Sequence, residues 1–372
     1  MSSSGAPTGT ITVHVFGRTD VGRAREHNED SFVVADLTAD DASLQPSVRT
    51  HTAGHRGSLF MVADGMGGAA AGEIASEMAT SIVLRELRSR WLPNPDTTGE
   101  AFAAALKQAA TIANSEINAY AANHAEYRGM GTTATIAGLL GDTVYLCQVG
   151  DSRAYLVRNG VARQITKDQS LMQKLVEAGE LTEEEAEHSE RRNIILQALG
   201  PEGTVKVDLT HQKLRRGDTL VLCSDGLSGQ VTRDEIGQAV REERDLMTVC
   251  KRLIDLANSA GGPDNITVIA VRVEGEGLED AGEGDEIGHR VFTLPDAGAT
   301  PPMGVDRVLT RDADRATIPV HAVARDTVPV ADDEETPVVS DERRARSAAI
   351  QRGLAVALVA AVVLVGAWLF FG

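Results

Sequence analysis

The chain sets 36 lysines and arginines against 54 acids in 372 residues, a net charge of −18 that excludes a phosphate-backbone partner such as nucleic acid. An apolar share of 42% supports a core, and with only 3% aromatic residues that core is aliphatic. Cys147, Cys223 and Cys250 lack metal-ligand spacing and no secretory signal peptide opens the chain, so they read as free, buried thiols in a reducing compartment.

After Met1, residues 2–9 are Ser, Gly, Ala, Pro and Thr, and residues 1–9 read as a disordered arm. From residue 10 to 274 the sequence is globular. "ITVHVFG" alternates with period two, as a strand does, and "REHNEDSFVVAD" sets Glu29 and Asp30 just before an apolar run. "LFMVADGMGG" runs apolar from Leu59 and stops on Asp64, then spends three of the next four positions on glycine. Helical spacing of apolar residues marks Gly72–Trp91 and Gly99–His124. "VYLCQVGDSR" is a strand that ends on Gly150-Asp151, and "YLVRNGVARQIT" is a hairpin turning at Asn159-Gly160. Between about Lys167 and Gly200 lies a charged helical insert, either a surface helix pair or a flap that touches substrate. "TLVLCSDGLSG" ends its apolar run at Asp225, "DLMTVCKRLIDLANSA" is a helix, and "GGPDNITVIAV" opens a strand with Asp264 and Asn265. Strands cluster in hairpins rather than alternating strictly with helices, which predicts an α+β fold with antiparallel sheets.

Residues 275–352 turn rich in Gly, Pro, Thr, Asp and Arg without a sustained apolar period, and read as a disordered linker. Leu354 to Phe371 carries no charge and would span about 27 Å as a helix, close to a bilayer core. Arg343, Arg344, Arg346 and Arg352 precede it, so residues 353–371 are expected to anchor the chain with its globular part facing the cytoplasm.

Acids at several distant strand ends are a poor way to build a core, because a buried carboxylate is costly unless paired or bound to metal. Gathered at one rim they would form an oxygen site for Mg²⁺ or Mn²⁺, not a thiolate or imidazole site.

Six motifs in order, "TDVGRAREHNEDSF", "VADGMGG", "GMGTTATIAGLL", "VGDSRAYLV", "CSDGLSG" and "GGPDNITVIAV", resemble the signature of the metal-dependent Ser/Thr protein phosphatases of type 2C in their bacterial form, over about residues 10–273. The resemblance implies a central antiparallel β-sandwich flanked by helix pairs, in four layers, with two Mn²⁺ or Mg²⁺ ions at one end. Asp64 matches the carboxylate bridging both ions and Gly65 the residue that binds through its carbonyl. Asp225 and Asp264 match ligands of one ion, and Asp151 the ligand of a third, weaker one. Glu29 and Asp30 match carboxylates that bind metal waters or support the site. Arg25 matches the arginine that holds the substrate phosphate, and Asn265 is expected to orient Asp264 or a metal water. A hydroxide bridging two ions about 3.5–4 Å apart would then attack phosphoserine or phosphothreonine. The implied partners are phosphorylated proteins, among them a membrane Ser/Thr kinase and its substrates.

Two positions depart from the family pattern. Met66 stands where some members carry a histidine acid, leaving a metal-bound water or another group such as His188 for that role. Gln197 stands where relatives often carry Arg, which bears on flap contacts. Three weaker signals are set aside. "CQVGDSR" has the Cys-x₅-Arg spacing of cysteine-dependent phosphatases, but an acid in the cradle opposes the anion. "HTAGH" has i,i+4 spacing but lies in a polar loop, and no early Asp-x-Asp pair supports an aspartyl nucleophile. The alternative to an enzyme is a catalytically silent relative that binds or senses phosphoproteins.

Overall fold

Alternation of side chains along extended backbone decides the architecture. In the computed structural model, which describes residues 9–294 apart from 188, 190 and 283, the elements follow in the order β1 (Thr12–Asp20), β2 (Asp30–Asp36), α1 (Pro46–Arg49), β3 (Thr50–Thr52), β4 (Ser58–Met66) and α2 (Ala69–Glu86). A single π turn, Leu87–Trp91, leads to α3 (Gly99–Asn123), β5 (Gly131–Thr132), β6 (Ala134–Leu140), β7 (Thr143–Val149), β8 (Arg153–Arg158) and β9 (Val161–Gln164). Then come α4 (Leu171–Glu177), α5 (Glu183–Glu187), β10 (Asp208–Lys213), β11 (Thr219–Cys223), α6 (Asp225–Ser228), α7 (Arg233–Glu242), α8 (Leu246–Ser259) and β12 (Ile266–Glu274).

The strands form two antiparallel sheets, ordered β3-β1-β12-β11-β8-β9 and β10-β7-β6-β4-β2, with β5 paired to β4. β12 shows how each sheet serves two cores. Ile269, Val271 and Val273 point into the space between the sheets, while Ile266, Val268 and Ala270 face α7 and α8. On the second sheet Phe60 and Val62 of β4 face inward, and Leu59, Met61 and Ala63 face α2 and α3. The result is four layers, helix pair, sheet, sheet, helix pair, each interface closed mainly by aliphatic side chains with a few aromatics such as Trp91, Phe102, Phe60 and Tyr155.

Local sequence explains the outer layers. In α8 the apolar residues Leu246, Val249, Cys250, Leu253, Ile254 and Ala257 recur at helical spacing on one buried face, and the Asp245 side chain caps the first turn by accepting from Thr248 N. α7 starts with a reciprocal capping box between Thr232 and Glu235. Ala71, Ala75 and Ala79 of α2 are small enough for that helix to lie close on β4 and α3. At the β8–β9 hairpin both Asn159 and Gly160 adopt positive φ, as the primed turn read from the sequence requires.

Two expectations need correction. The insert is less helical than its pattern: α4 and α5 are short, and residues 192–207 run largely without helix. The linker does not begin at Gly275. Leu278 is buried between the sheets, and Arg215 grips Asp285 through two hydrogen bonds of 2.7 Å. Arg158, itself paired with buried Asp218 at 2.6 Å, donates to the Asp285 carbonyl. Further on, His211 N donates to Arg290 O and Phe292 N to Leu209 O, so this strap pairs with the outer edge of β10. The strap hides an edge that would otherwise present unpaired backbone groups. Its composition concealed this, because one buried leucine and a few ion pairs hold it rather than a periodic face. The residues 295–352 of the expected linker and the apolar segment 353–371 lie outside the described residues, as does most of the expected arm. Among the described residues no helix is long and apolar enough to cross a membrane.

A chain ended at Glu274 is expected to unfold at lower temperature than one ended at Leu294. In the full chain Leu278→Ala should cost about 2–4 kcal/mol by urea denaturation. Unchanged stability in both comparisons would show that the strap adds nothing to the fold.

Candidate active site

Antiparallel order brings strand ends from distant sequence to one rim. The end of β4 carries Asp64 and Gly65, and the start of β2 sets Asp30 directly opposite Asp64 in the ladder. The β7–β8 turn carries Asp151, the first residue of α6 is Asp225, and the loop entering β12 carries Asp264 and Asn265. Together with Arg25 and Glu29 from the β1–β2 loop, Asp64, Gly65, Asp151, Asp225, Asp264 and Asn265 line a cleft of about 260 Å³. Asp30 lies behind this lining, its influence felt at Asp64.

Backbone contacts hold Asp64 in place. Its N–H donates to Thr133 Oγ1, while its carbonyl accepts from Thr133 N and Thr132 Oγ1, each within 3.0 Å. Gly65 has no room for a side chain: a Cβ there would come within 2.2 Å of Gly72 O and 2.5 Å of Glu29 O. That close approach keeps the end of β4 tight against the first turn of α2.

The electrostatics are those of acids crowded without enough cations. Burial, followed by repulsion from Asp30, Asp225, Asp151 and Asp264, holds the Asp64 carboxyl well above the usual carboxylate range. Burial likewise raises Asp30 to about 7 and Asp151 to about 8, with Asp225 among the acids repelling each. Asp225 is raised too, by burial and then by Asp264, against the opposing effect of hydrogen bonding to Asp64. Burial also lifts Glu29, an effect that Arg25 opposes.

These residues fit divalent cations on two structural grounds. One Asp30 oxygen accepts from Ser224 Oγ at 2.7 Å, while the other, Oδ1, is buried without a hydrogen-bond partner. An unsatisfied buried carboxylate oxygen costs free energy unless a cation or its water meets it. The donor set is also all oxygen, carboxylates with a backbone carbonyl, as Mg²⁺ and Mn²⁺ prefer. Among the described residues no three acids, histidines or cysteines close on one point as a finished cage. The acids instead spread along the cleft, an arrangement suited to ions that keep part of their water.

Arg25 stands half exposed at the mouth, its Nη2 donating to Asp264 Oδ2 at 2.8 Å, a pairing that raises its own pKa. The Asn265 side chain does not hydrogen-bond to Asp264. Its side chain accepts from Glu29 N and donates to the Val21 and His27 carbonyls, so it clasps the loop bearing Arg25. Asp264 is oriented by the Asn265 backbone N–H, not by the amide side chain.

Sequence reasoning missed Thr133, Asn193 and Ile195, all of which line the cleft. Thr133 lay within a quoted motif, where a hydroxyl beside a glycine-rich strand start was the available signal. The insert therefore does reach the cleft, through Asn193 and Ile195. Gln197 does not line it; its Oε1 accepts from Lys206 N, just beyond the insert. Met66 lines the cleft, and His188 lies outside the described residues. The signals set aside stay so. Cys147 is buried with its thiol pushed up to about 12, and His51 spends both ring nitrogens on Val48 O and Ser58 Oγ.

The profile of the protein phosphatase 2C family matches residues 32–267. The chain belongs to that family. It is 40% identical over 260 residues to the serine/threonine phosphatase Stp of Listeria monocytogenes, covering 70% of this chain and 95% of that one. It is 38% identical over 265 residues to PstP of Mycobacterium tuberculosis, covering 71% of this chain and 46% of that longer relative. Among solved structures, the PstP catalytic domain in complex with two manganese ions is similar at 36% identity and a TM-score of 0.57, over 71% of this chain and all of that one. The Staphylococcus aureus phosphatase Stp1 is similar at 32% identity and a TM-score of 0.62, over 70% of this chain and 95% of that one. The two antiparallel sheets and their flanking helices are thus the phosphatase 2C architecture.

The raised carboxylates carry a sign. Native acids that hold protons the unfolded chain has released make stability fall as pH rises, here from about 4 to about 8. In EDTA the melting temperature should therefore drop between pH 5 and pH 8, and Asp64→Asn should raise it at pH 8. Saturating Mn²⁺ should stabilise the wild type most at pH 8. A metal-free protein whose stability climbs over that range, with no gain from Asp64→Asn, would contradict this electrostatic picture.

Proposed function

We infer that this chain hydrolyses phosphoserine and phosphothreonine on proteins with the help of two Mn²⁺ or Mg²⁺ ions. The observation that carries the reading is the convergence of Asp64, Asp151, Asp225 and Asp264 on one cleft floor, with a buried Asp30 oxygen left unpaired. Asp64, the Gly65 carbonyl, Asp225 and Asp264 would hold the two ions. Asp151 would serve a third, weaker ion, while Glu29 and Asp30 would take its neighbours' waters. When bound, such ions lower the pKa of a water toward neutrality and neutralise charge on the phosphoryl oxygens.

The chain's own residues do the rest. Arg25, half exposed at the mouth beside Asp264, would donate hydrogen bonds to phosphate oxygens, and Asn265 sets where its loop stands. The paired threonines Thr132 and Thr133 keep the Asp64 backbone from yielding under the repulsion of neighbouring acids. With Met66 in the lining and no histidine there among the described residues, proton delivery to the leaving oxygen is not assigned to an imidazole of that lining. A silent binding relative is the weaker reading, since Arg25, Asp64, Asp225 and Asp264 are all in place.

The apolar, uncharged segment from Leu354 to Phe371 and the arginines before it support a membrane tether with the catalytic domain on the cytoplasmic side. Such a tether would concentrate the enzyme near a membrane Ser/Thr kinase and that kinase's substrates.

Hydrolysis of p-nitrophenyl phosphate is expected with Mn²⁺ and not with EDTA, and Asp64→Asn should lower the rate by at least about 100-fold. Arg25→Ala should raise KM about tenfold, the worth of a lost charge-assisted hydrogen bond. A metal-dependent rate retained by Asp64→Asn would overturn the assignment. Deleting residues 353–372 should release the protein from membranes at unchanged rate, and a truncated form that still pellets with them would place the tether elsewhere.

A further inference from the structure

Gln169, at the root of the insert, is buried and spends every polar group it has. Its backbone N–H donates to Gly150 O at 2.8 Å, and its Oε1 accepts from Gly150 N at 3.1 Å. Its Nε2 donates to Asp208 Oδ2 at 3.0 Å and to Lys206 O at 3.1 Å, where β10 begins. Its carbonyl accepts from Leu196 N at 2.7 Å, while the next residues, Ser170 and Leu171, bridge to Ile195 and Ile194. The side chain thus joins the turn that carries Asp151 to the edge of the second sheet, and the backbone carbonyl of the same residue holds the extended segment 194–196. Alternation along that segment turns Ile195 into the cleft and leaves Ile194 and Leu196 exposed.

The Asp151 turn has a second fastening, because Gln148 Nε2 also donates to Gly150 O at 3.1 Å. Without the Gln169 side chain the turn keeps its bonds to Gln148 Nε2 and Gln169 N, whereas the wall hangs from a backbone no longer tied to the start of β10. A small phosphate ester needs only the floor. A phosphopeptide continues beyond it and meets the wall formed by Asn193 and Ile195.

We propose that Gln169 is a positioning residue that locks the insert's wall to the Asp151 turn and so governs the binding of extended phosphopeptides. The proposal rests on the phosphatase reading and adds to it a residue through which protein substrates are distinguished from small esters.

The test uses the full chain with Mn²⁺. Gln169→Leu keeps the volume and removes the side chain's hydrogen bonds. Leu196→Pro, at an exposed position in extended backbone, removes the N–H that the Gln169 carbonyl accepts, and serves should the first variant fold poorly. In each, KM for a phosphothreonine peptide should rise about tenfold, the equivalent of a hydrogen bond or two, with kcat within about twofold. KM for p-nitrophenyl phosphate should stay within about twofold. In Gln169→Leu the Leu196 amide should exchange with solvent faster while the Val268 amide in β12 is unchanged. A control in the inter-sheet core, Val271→Ala, should lower the melting temperature yet leave the ratio of the two KM values alone. Peptide and ester constants that move together, or an unmoved peptide KM, would overturn the proposal. Should the wild type hydrolyse neither substrate, the phosphatase reading falls, and the exchange rates at Leu196 still decide whether Gln169 holds the wall.

Discussion

Repulsion among carboxylates is the constraint from which the rest of the structure follows. Asp30, Asp64, Asp151 and Asp225 are pushed toward protonation because burial and like charges face them together. Left to itself such a cluster would spread apart or neutralise, and either outcome would end its capacity to hold cations. The protein opposes spreading with a stiff frame. Asp64 and Asp30 sit opposite each other in one ladder, Thr132 and Thr133 hold Asp64 by its backbone, and Gln148 and Gln169 fasten the turn of Asp151.

The four-layer sandwich earns its place by making that frame rigid. Two sheets with aliphatic side chains on both faces leave little freedom at the strand ends, and the ends are where the acids stand. The loops at the rim hang from this frame: the β1–β2 loop with Arg25 by the Asn265 side chain, and the insert by Gln169. Each of these junctions is a hydrogen-bonded, buried amide. Such a group tolerates little displacement, because a lost partner leaves a desolvated donor or acceptor behind.

Much of this was legible in the sequence because it follows from period and spacing. Apolar runs that stop on acids marked Asp64, Asp151 and Asp225, and their recurrence carried the inference that no single motif could. Asn159-Gly160 announced its hairpin through backbone chemistry alone. What stayed hidden depends on contacts between distant residues. The strap after β12 has a polar composition and holds by Leu278, Arg158 and Arg215, whose partners lie far away in the chain. The loop contacts of the Asn265 side chain were not legible, since nothing local distinguishes an amide that orients its neighbour from one that clasps a loop. Ile195 reads as one apolar residue among several, and only the pairing of Ser170 with Ile195 turns it toward the cleft.

The central claim is that this acidic floor exists to be neutralised by divalent cations in place of protons. Calorimetric titration of the metal-free chain with Mn²⁺ at pH 7, repeated in buffers of different ionisation enthalpy, counts the protons displaced. The account predicts binding that releases at least about one proton per chain, because acids raised to about 7 and about 8 still hold protons at that pH. Binding with no proton release, or no binding at all, would contradict it.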